Sequence, residues 1–212
     1  MKSLGNVFIL GDSYSTFEGF IPEGYRTYYS NAGREETDVN AVCQTWWKQV
    51  IDETGSTLLR NCSYSGTTIC HTGYDGEDCS ERSFVARVDK LIKEGFFKKN
   101  KIDTFFIFGG TNDTWAGSPV GRLKYHFWTK KDLYKTLPAF CYLLKRVKAN
   151  AEGARVVVIL NDVLKKEIVD GFKTACDRYG VEIIPLEDIN KNCGHPTILG
   201  MSQIKEQVLK SL

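Results

Sequence analysis

Gly5-Asn6-Val7-Phe8-Ile9-Leu10-Gly11-Asp12-Ser13-Tyr14-Ser15 opens the chain's first regular element, and its reading decides the fold. Val7–Leu10 is an unbroken apolar run of strand length, stopped by Gly11 just before a polar Asp-Ser pair. An uninterrupted run of this kind fits a strand covered on both faces, where no side alternates toward water. It is too short for a signal-peptide core and no small-residue cleavage site follows. A cytoplasmic chain is therefore expected, or a secreted one if a leader has been trimmed.

Four more runs of strand length lie downstream, at Thr57–Arg60, Thr104–Phe108, Arg155–Leu160 and Val181–Pro185. Helical patterns separate them near Ala41–Glu53, Arg82–Glu94, Lys131–Ala149 and Val163–Tyr179, with a last helix near Ile198–Lys210. Leu133, Leu137, Phe140, Leu144 and Val147 recur at steps of three and four, the spacing of one helix face. Gly55, Gly95 and Gly180 stand where the first, second and fourth helices should stop. Strands alternating with helices predict an α/β protein, a five-stranded parallel sheet inside a three-layer α/β/α sandwich. Right-handed crossovers give it flavodoxin-like strand order. No repeat or linker divides residues 1–212, so one domain is expected.

The composition sets limits. The 212 residues include 28 basic and 26 acidic side chains, a formal charge of +2, which supplies no basic stripe for nucleic acid. No apolar run approaches the length of a membrane span. Seven cysteines, an odd set without a C-x-x-C pair, read as reduced thiols, mostly buried. Cys70, His71 and Cys79 match no standard zinc spacing, so no metal site is expected.

Chemistry should lie at the carboxyl ends of the strands, where open parallel sheets bind ligands. Strand 1 is followed by Gly11-Asp12-Ser13, and strand 2 by Asn61-Cys62-Ser63-Tyr64-Ser65-Gly66. Strand 3 leads into Gly109-Gly110-Thr111-Asn112-Asp113, and strand 5 into Asn192-Cys193-Gly194-His195-Pro196. Together they deliver a hydroxyl, a glycine, an amide and an imidazole, the kit acyl transfer needs. Alone, each has a plain structural explanation: a turn serine, a turn glycine, an asparagine bonded to its own loop, a histidine opening a helix. Three long loops, Tyr14–Asn40, Thr67–Glu81 and Asp113–Lys130, should crowd the same edge. They carry Tyr25, Tyr28, Tyr29, Tyr74, Trp115 and Trp128, suited to lid packing or to stacking on a polar ligand.

In this order the blocks resemble the SGNH subset of the GDSL esterases and lipases, over residues 11–196. The resemblance implies the flavodoxin-like SGNH fold and hydrolysis of carboxylic esters without metal or organic cofactor. It makes Ser13 the nucleophile and His195 the general base. Main-chain N–H groups of Ser13 and Gly66 and the Asn112 amide form the oxyanion hole. Trp115 and Tyr14 are the expected substrate contacts, and the expected partner is a small-molecule ester such as an acylated sugar. Nucleic acid and membrane are not expected partners, and nothing in the sequence speaks to oligomeric state.

One departure stands out. The family's aspartate three residues before the histidine is Asn192 here, and Glu187 and Asp188 have the wrong spacing. The expectation is a Ser-His dyad whose imidazole is oriented by a main-chain carbonyl or by Asn192 Oδ1. Asp188, or Asp162 after strand 4, stands as the competing carboxylate. The missing acid motivates an alternative, a carbohydrate- or acyl-binding protein with little turnover. A flavin- or nucleotide-binding reading lacks G-x-G-x-x-G and P-loop motifs. A phosphodiesterase lacks clustered His and Asp ligands, and the G-x-S-x-G elbow is absent.

Overall fold

A computed structural model describes residues 2–212. Strand β1 (Asn6–Gly11) leads through a long loop to helix α1 (Trp46–Thr54) and β2 (Thr57–Asn61). After α2 (Phe84–Lys93) and the single-turn α3 (Phe96–Lys99) come β3 (Thr104–Phe108), the short α4 (Thr111–Trp115) and α5 (Thr136–Asn150). Then come β4 (Arg155–Leu160), α6 (Lys166–Tyr179), β5 (Glu182–Pro185), a hairpin of β6 (Lys191–Asn192) and β7 (His195–Pro196), and α7 (Ile198–Ser211).

The five long strands pair in parallel in the order β2-β1-β3-β4-β5, the flavodoxin order expected from the alternating pattern. Side chains alternate between two apolar layers. Phe8, Leu10, Phe105, Ile107, Val156 and Val158 meet α2, α5 and α6 on one face. Val7, Ile9, Phe106, Phe108, Val157 and Ile159 meet α1 and α7 on the other. Both faces are covered, so the strands read as continuous apolar runs. The chain leaves β1 toward β2 on one side and later crosses to β3 on the other. The loops after β1 and β3 therefore diverge and open a crevice between them.

Helix ends obey side-chain chemistry. Thr45, Ser83 and Thr197 each accept a main-chain N–H from the first turn of α1, α2 and α7. The first predicted helix begins five residues late, because Val42–Gln44 forms a separate 3-10 turn and Thr45 caps α1 itself. The third begins at Thr136 because Lys135 is extended, leaving Lys130–Tyr134 as a 3-10 turn.

The loop expected to start at Asp113 also differs, since residues 111–115 are helical. Its later part turns away from the strand ends. Tyr125 packs against Tyr179 of α6, and Trp128 packs edge-on against Tyr142 of α5. Trp128 is thus part of the helical layer and not of the crevice. No helix among the described residues is long and apolar enough to cross a membrane.

Candidate active site

Ser13 begins a 3-10 turn, Ser13–Ser15, directly after β1. Asp12 caps that turn, its Oδ1 accepting the Tyr14 N–H at 3.1 Å. The Ser13 side chain is buried, and its Oγ lies 2.9 Å from His195 Nε2.

His195 is placed by the β6–β7 hairpin, whose two-residue turn has Cys193 at φ 45° and Gly194 at φ 78°. Positive φ at both central positions is the mirror-image turn that matches strand twist, and glycine takes its half without strain. Two tyrosines pin the hairpin to the body: Tyr29 donates to Pro196 O at 3.1 Å and Tyr14 donates to Gly194 O. His195 Nδ1 is 3.3 Å from Cys193 O. A carbonyl can only accept, so Nδ1 carries the proton and Nε2 presents its lone pair to Ser13. Burial pushes the His195 pKa down to about 4, with Arg34 adding to the depression and Cys193 O opposing it.

Among the described residues no carboxylate bonds the imidazole. Asp162 accepts the Ile189 N–H at 3.0 Å and pairs with Lys191, which fixes the β5–β6 connection instead. Asp188 is exposed and left-handed at φ 53°, with no contact to His195. Asn192 faces His195 across the hairpin, yet its Nδ2 donates to Glu36 O at 3.2 Å. Of the orienting groups left open by the sequence, the main-chain carbonyl is the one that lies beside Nδ1.

Gly66 sits in the Tyr64–Thr67 turn at φ +77°. A Cβ there would meet no protein atom within 4 Å, and the left-handed backbone by itself favours glycine. The N–H groups of Ser13 and Gly66 donate to no protein acceptor among the described residues. Asn112 is buried on α4. Its Nδ2 donates to Thr67 O at 3.0 Å and approaches Asp12 Oδ2 only to 3.5 Å, while Oδ1 accepts from the Tyr74 hydroxyl at 2.8 Å. One amide N–H therefore lacks a partner of ordinary length.

The aromatic residues divide. Tyr14, expected to touch substrate, is wholly buried beneath His195; its ring supports the imidazole and its hydroxyl is spent on Gly194. Tyr29 is buried too, and Tyr25 stacks on Tyr64. Trp115 is 40% exposed with its edge toward His195, 5.8 Å between centroids. Tyr28 stacks flat on His195 at 3.6 Å and 7°.

Sequence reasoning missed two buried charges. Arg87 on α2 donates to Gly11 O and Thr67 Oγ1 at 3.1 and 3.0 Å and to Cys62 O, tying together the loops after β1 and β2. Its signal was legible: it falls on the apolar stripe of Phe84, Val88 and Leu91. Asp12, one residue before Ser13, has its pKa pushed up to about 7 by burial, against the pull of the Tyr14 N–H and Arg87.

No group of three or more His, Cys, Asp and Glu side chains among the described residues is placed to hold a metal ion. His71, beside Cys70 in the sequence, bonds Ser83 Oγ at 2.8 Å at the start of α2 instead. All seven cysteines are free, and only Cys43 and Cys193 are exposed.

A doubly wound sheet with a hydrogen-bonded Ser-His pair at its carboxyl edge is the architecture of a serine-type ester hydrolase. The family model for GDSL-like Lipase/Acylhydrolase matches residues 5–212, and the chain belongs to that family. It is similar to a candidate GDSL-like lipase from Bacteroides ovatus, with 45% identity, TM-score 0.91, and coverage of 99% of this chain and 98% of that one. A candidate GDSL-like lipase from Bacteroides uniformis has 44% identity, TM-score 0.91, and coverage of 98% and 95%. The family two carbohydrate esterase of Clostridium thermocellum, solved with cellohexaose, shares the fold at 16% identity and TM-score 0.64, covering 99% of this chain and 64% of that one. A comparison with curated proteins finds no match.

Proposed function

We propose that the protein hydrolyses carboxylic esters through a Ser13 acyl-enzyme, removing small acetyl-type groups from a polar or carbohydrate alcohol. The observation that carries this reading is the 2.9 Å contact between Ser13 Oγ and His195 Nε2, with Nδ1–H committed to Cys193 O. In that tautomer Nε2 takes the hydroxyl proton as Oγ attacks the ester carbonyl. The carbonyl π electrons move to oxygen, where the Ser13 and Gly66 N–H groups and the Asn112 amide receive the charge, at about 3 kcal/mol per donor. The imidazolium returns its proton to the departing alcohol as the tetrahedral intermediate collapses. Water then repeats the cycle and frees the acid.

The 40% exposed Trp115 ring beside His195 supports a sugar-like alcohol, since an exposed aromatic ring offers a surface on which a pyranose can stack. The carbohydrate esterase with the shared fold supports the same class. A second reading, binding with little turnover, is favoured by the missing carboxylate beside His195. A panel of acyl esters and acetylated sugars separates the two: the hydrolase reading expects turnover, and saturable binding without turnover would replace it. A fluorophosphonate should add once, at Ser13; an intact mass without adduct under alkaline conditions counts against the nucleophile.

Three further outcomes are expected from the geometry. Asn112→Ala should lower kcat by roughly 10²–10³ with KM within a few-fold; a change confined to KM would make Asn112 a substrate-binding group. Protonated His195 cannot accept the serine proton, so activity is lost as pH falls through its pKa. The acid limb of kcat/KM in a pH–rate profile should therefore lie near pH 4, and a half-point above 6 would contradict this. Asn192→Asp should leave activity equal or raise it, because the hairpin register sets residue 192 opposite His195; a loss of more than tenfold in kcat would show that the Asn192–Glu36 bond matters more.

A further inference from the structure

A dyad histidine without a carboxylate still has to be held in one plane, because rotation about its ring bond swings Nε2 off the serine. The structure surrounds His195 with a closed circuit that does this holding. One face of the Tyr28 ring lies flat on the imidazole at 3.6 Å and 7°. That face is filled, so the Arg34 guanidinium, 4.4 Å from the Tyr28 centroid, takes the other. Arg34 Nε donates to Glu36 Oε2 at 2.9 Å, and Glu36 O accepts from Asn192 Nδ2 at 3.2 Å. Asn192 pairs with His195 across the hairpin, closing the ring of contacts. The platform is also registered to the nucleophile: Thr16 Oγ1 accepts the Tyr28 N–H at 2.9 Å and donates to Ser13 O at 3.0 Å.

We infer that Tyr28, backed by Arg34, is a positioning residue that clamps the His195 ring in line with Ser13 and takes over the orienting role a triad carboxylate would play. The division of labour is physical. A carboxylate orients the ring through Nδ1 and favours the imidazolium. The clamp orients it through ring stacking, while the cation behind Tyr28 favours the neutral imidazole. The charged and titratable groups around His195 agree with that balance. Burial raises the pKa of Tyr14 and Tyr28, so both hydroxyls stay neutral; Asp12 is engaged by the Tyr14 N–H, and Glu36 by Arg34. Among the described residues Arg34 is thus the cation that depresses the imidazole, adding to burial.

The kinetic arm of the test rests on the ester-hydrolase reading; the titration arm does not. Kinetics on an activated ester should show Tyr28→Leu lowering kcat by about 10–100-fold with KM within three-fold, the scale of losing an oriented base. Tyr28→Phe, which keeps the ring face and loses a hydroxyl that has no partner among the described residues, should recover most of that loss. Arg34→Gln, a change at a half-exposed side chain that leaves the core untouched, should shift the acid limb upward in pH. In parallel, NMR titration of the three histidines, with His71 and His126 as internal references, should show the His195 pKa rising in Tyr28→Leu and Arg34→Gln.

An effect of Tyr28→Leu confined to KM overturns the clamp and makes Tyr28 a substrate contact. A Tyr28→Phe loss equal to that of Tyr28→Leu overturns it as well. If wild type turns over no ester, the hydrolase reading falls, and the titration alone decides: an unchanged His195 pKa in both variants overturns the clamp. Should Tyr28→Leu fail to fold, Arg34→Gln carries both arms by itself.

Discussion

Ser13→Ala and His195→Ala should each lower kcat by about 10⁴-fold or more, while Asp162→Ala and Asp188→Ala each cost less than about tenfold. The asymmetry comes from what each side chain touches. Oγ and Nε2 are the atoms that bond to the ester carbon and to the moving proton, and nothing nearby can replace either. The residual rate in those two variants would come from the Ser13, Gly66 and Asn112 donors, which stabilise the oxyanion whatever the nucleophile. Asp162 holds Ile189 N and Lys191, so its loss loosens the chain ahead of the hairpin without removing charge from the imidazole. Asp188 is exposed and bonds nothing at the site. The four rates on one activated ester, with circular dichroism to confirm the fold, check the pattern. If Asp162→Ala or Asp188→Ala abolished turnover in a folded protein, that carboxylate would be a third triad member and the dyad would fall.

How far the sequence could be read varied with the kind of interaction. The five strands were legible because burial on both faces makes each one a continuous apolar run, and their bounds agree with the structure to within a residue or two. The strand order came from the handedness of crossovers. Helix starts were less legible, since Thr45 and Lys135 end one backbone conformation and begin another inside patterns that look uniformly helical. The four strand-end blocks pointed to residues that the fold does bring together, Ser13 with His195 and Asn112 with the Gly66 turn through Thr67 O.

Long-range contacts were not legible. Nothing in the spacing of Tyr28 and His195, 167 residues apart in the sequence, announces a stack, and nothing near Tyr14, expected to touch substrate, announces that its hydroxyl is taken by Gly194 O. Trp128 was misplaced for a related reason. A loop that leaves a strand's carboxyl end need not stay there when its own aromatic residues find partners on α5 and α6. Arg87 is the exception, since an arginine on an apolar helix stripe is a visible anomaly.

That anomaly makes Arg87→Met the substitution with the largest expected cost in stability, about 2–3 kcal/mol in unfolding free energy. The guanidinium is buried, rests over the Phe84 ring, and donates to Gly11 O, Cys62 O, Thr67 Oγ1 and Arg82 O. Methionine fills similar volume with no donor, leaving Cys62 O without its Arg87 partner while Gly11 O keeps only the Tyr64 N–H at 3.2 Å. Each unsatisfied buried acceptor costs about 1–3 kcal/mol, and relaxation or water entry recovers part of the sum. Arg87→Lys should rescue little, because a single ammonium cannot span acceptors on both loops as a planar fork does.

The loss also reaches the chemistry. Arg87 is a cation that pulls the Asp12 pKa down, so without it Asp12 stays protonated to higher pH just beneath the Ser13 turn. The Thr67 hydroxyl loses a donor at the same time but keeps its own bond to Tyr64 O, beside the carbonyl that holds Asn112. Urea unfolding of wild type, Arg87→Met and Arg87→Lys measures the stability term, and kcat of the fraction still folded at low temperature measures the site. A destabilisation below about 1 kcal/mol, the scale of an ordinary surface change, would mean that the loops after β1 and β2 hold themselves and that Arg87 is only filling space.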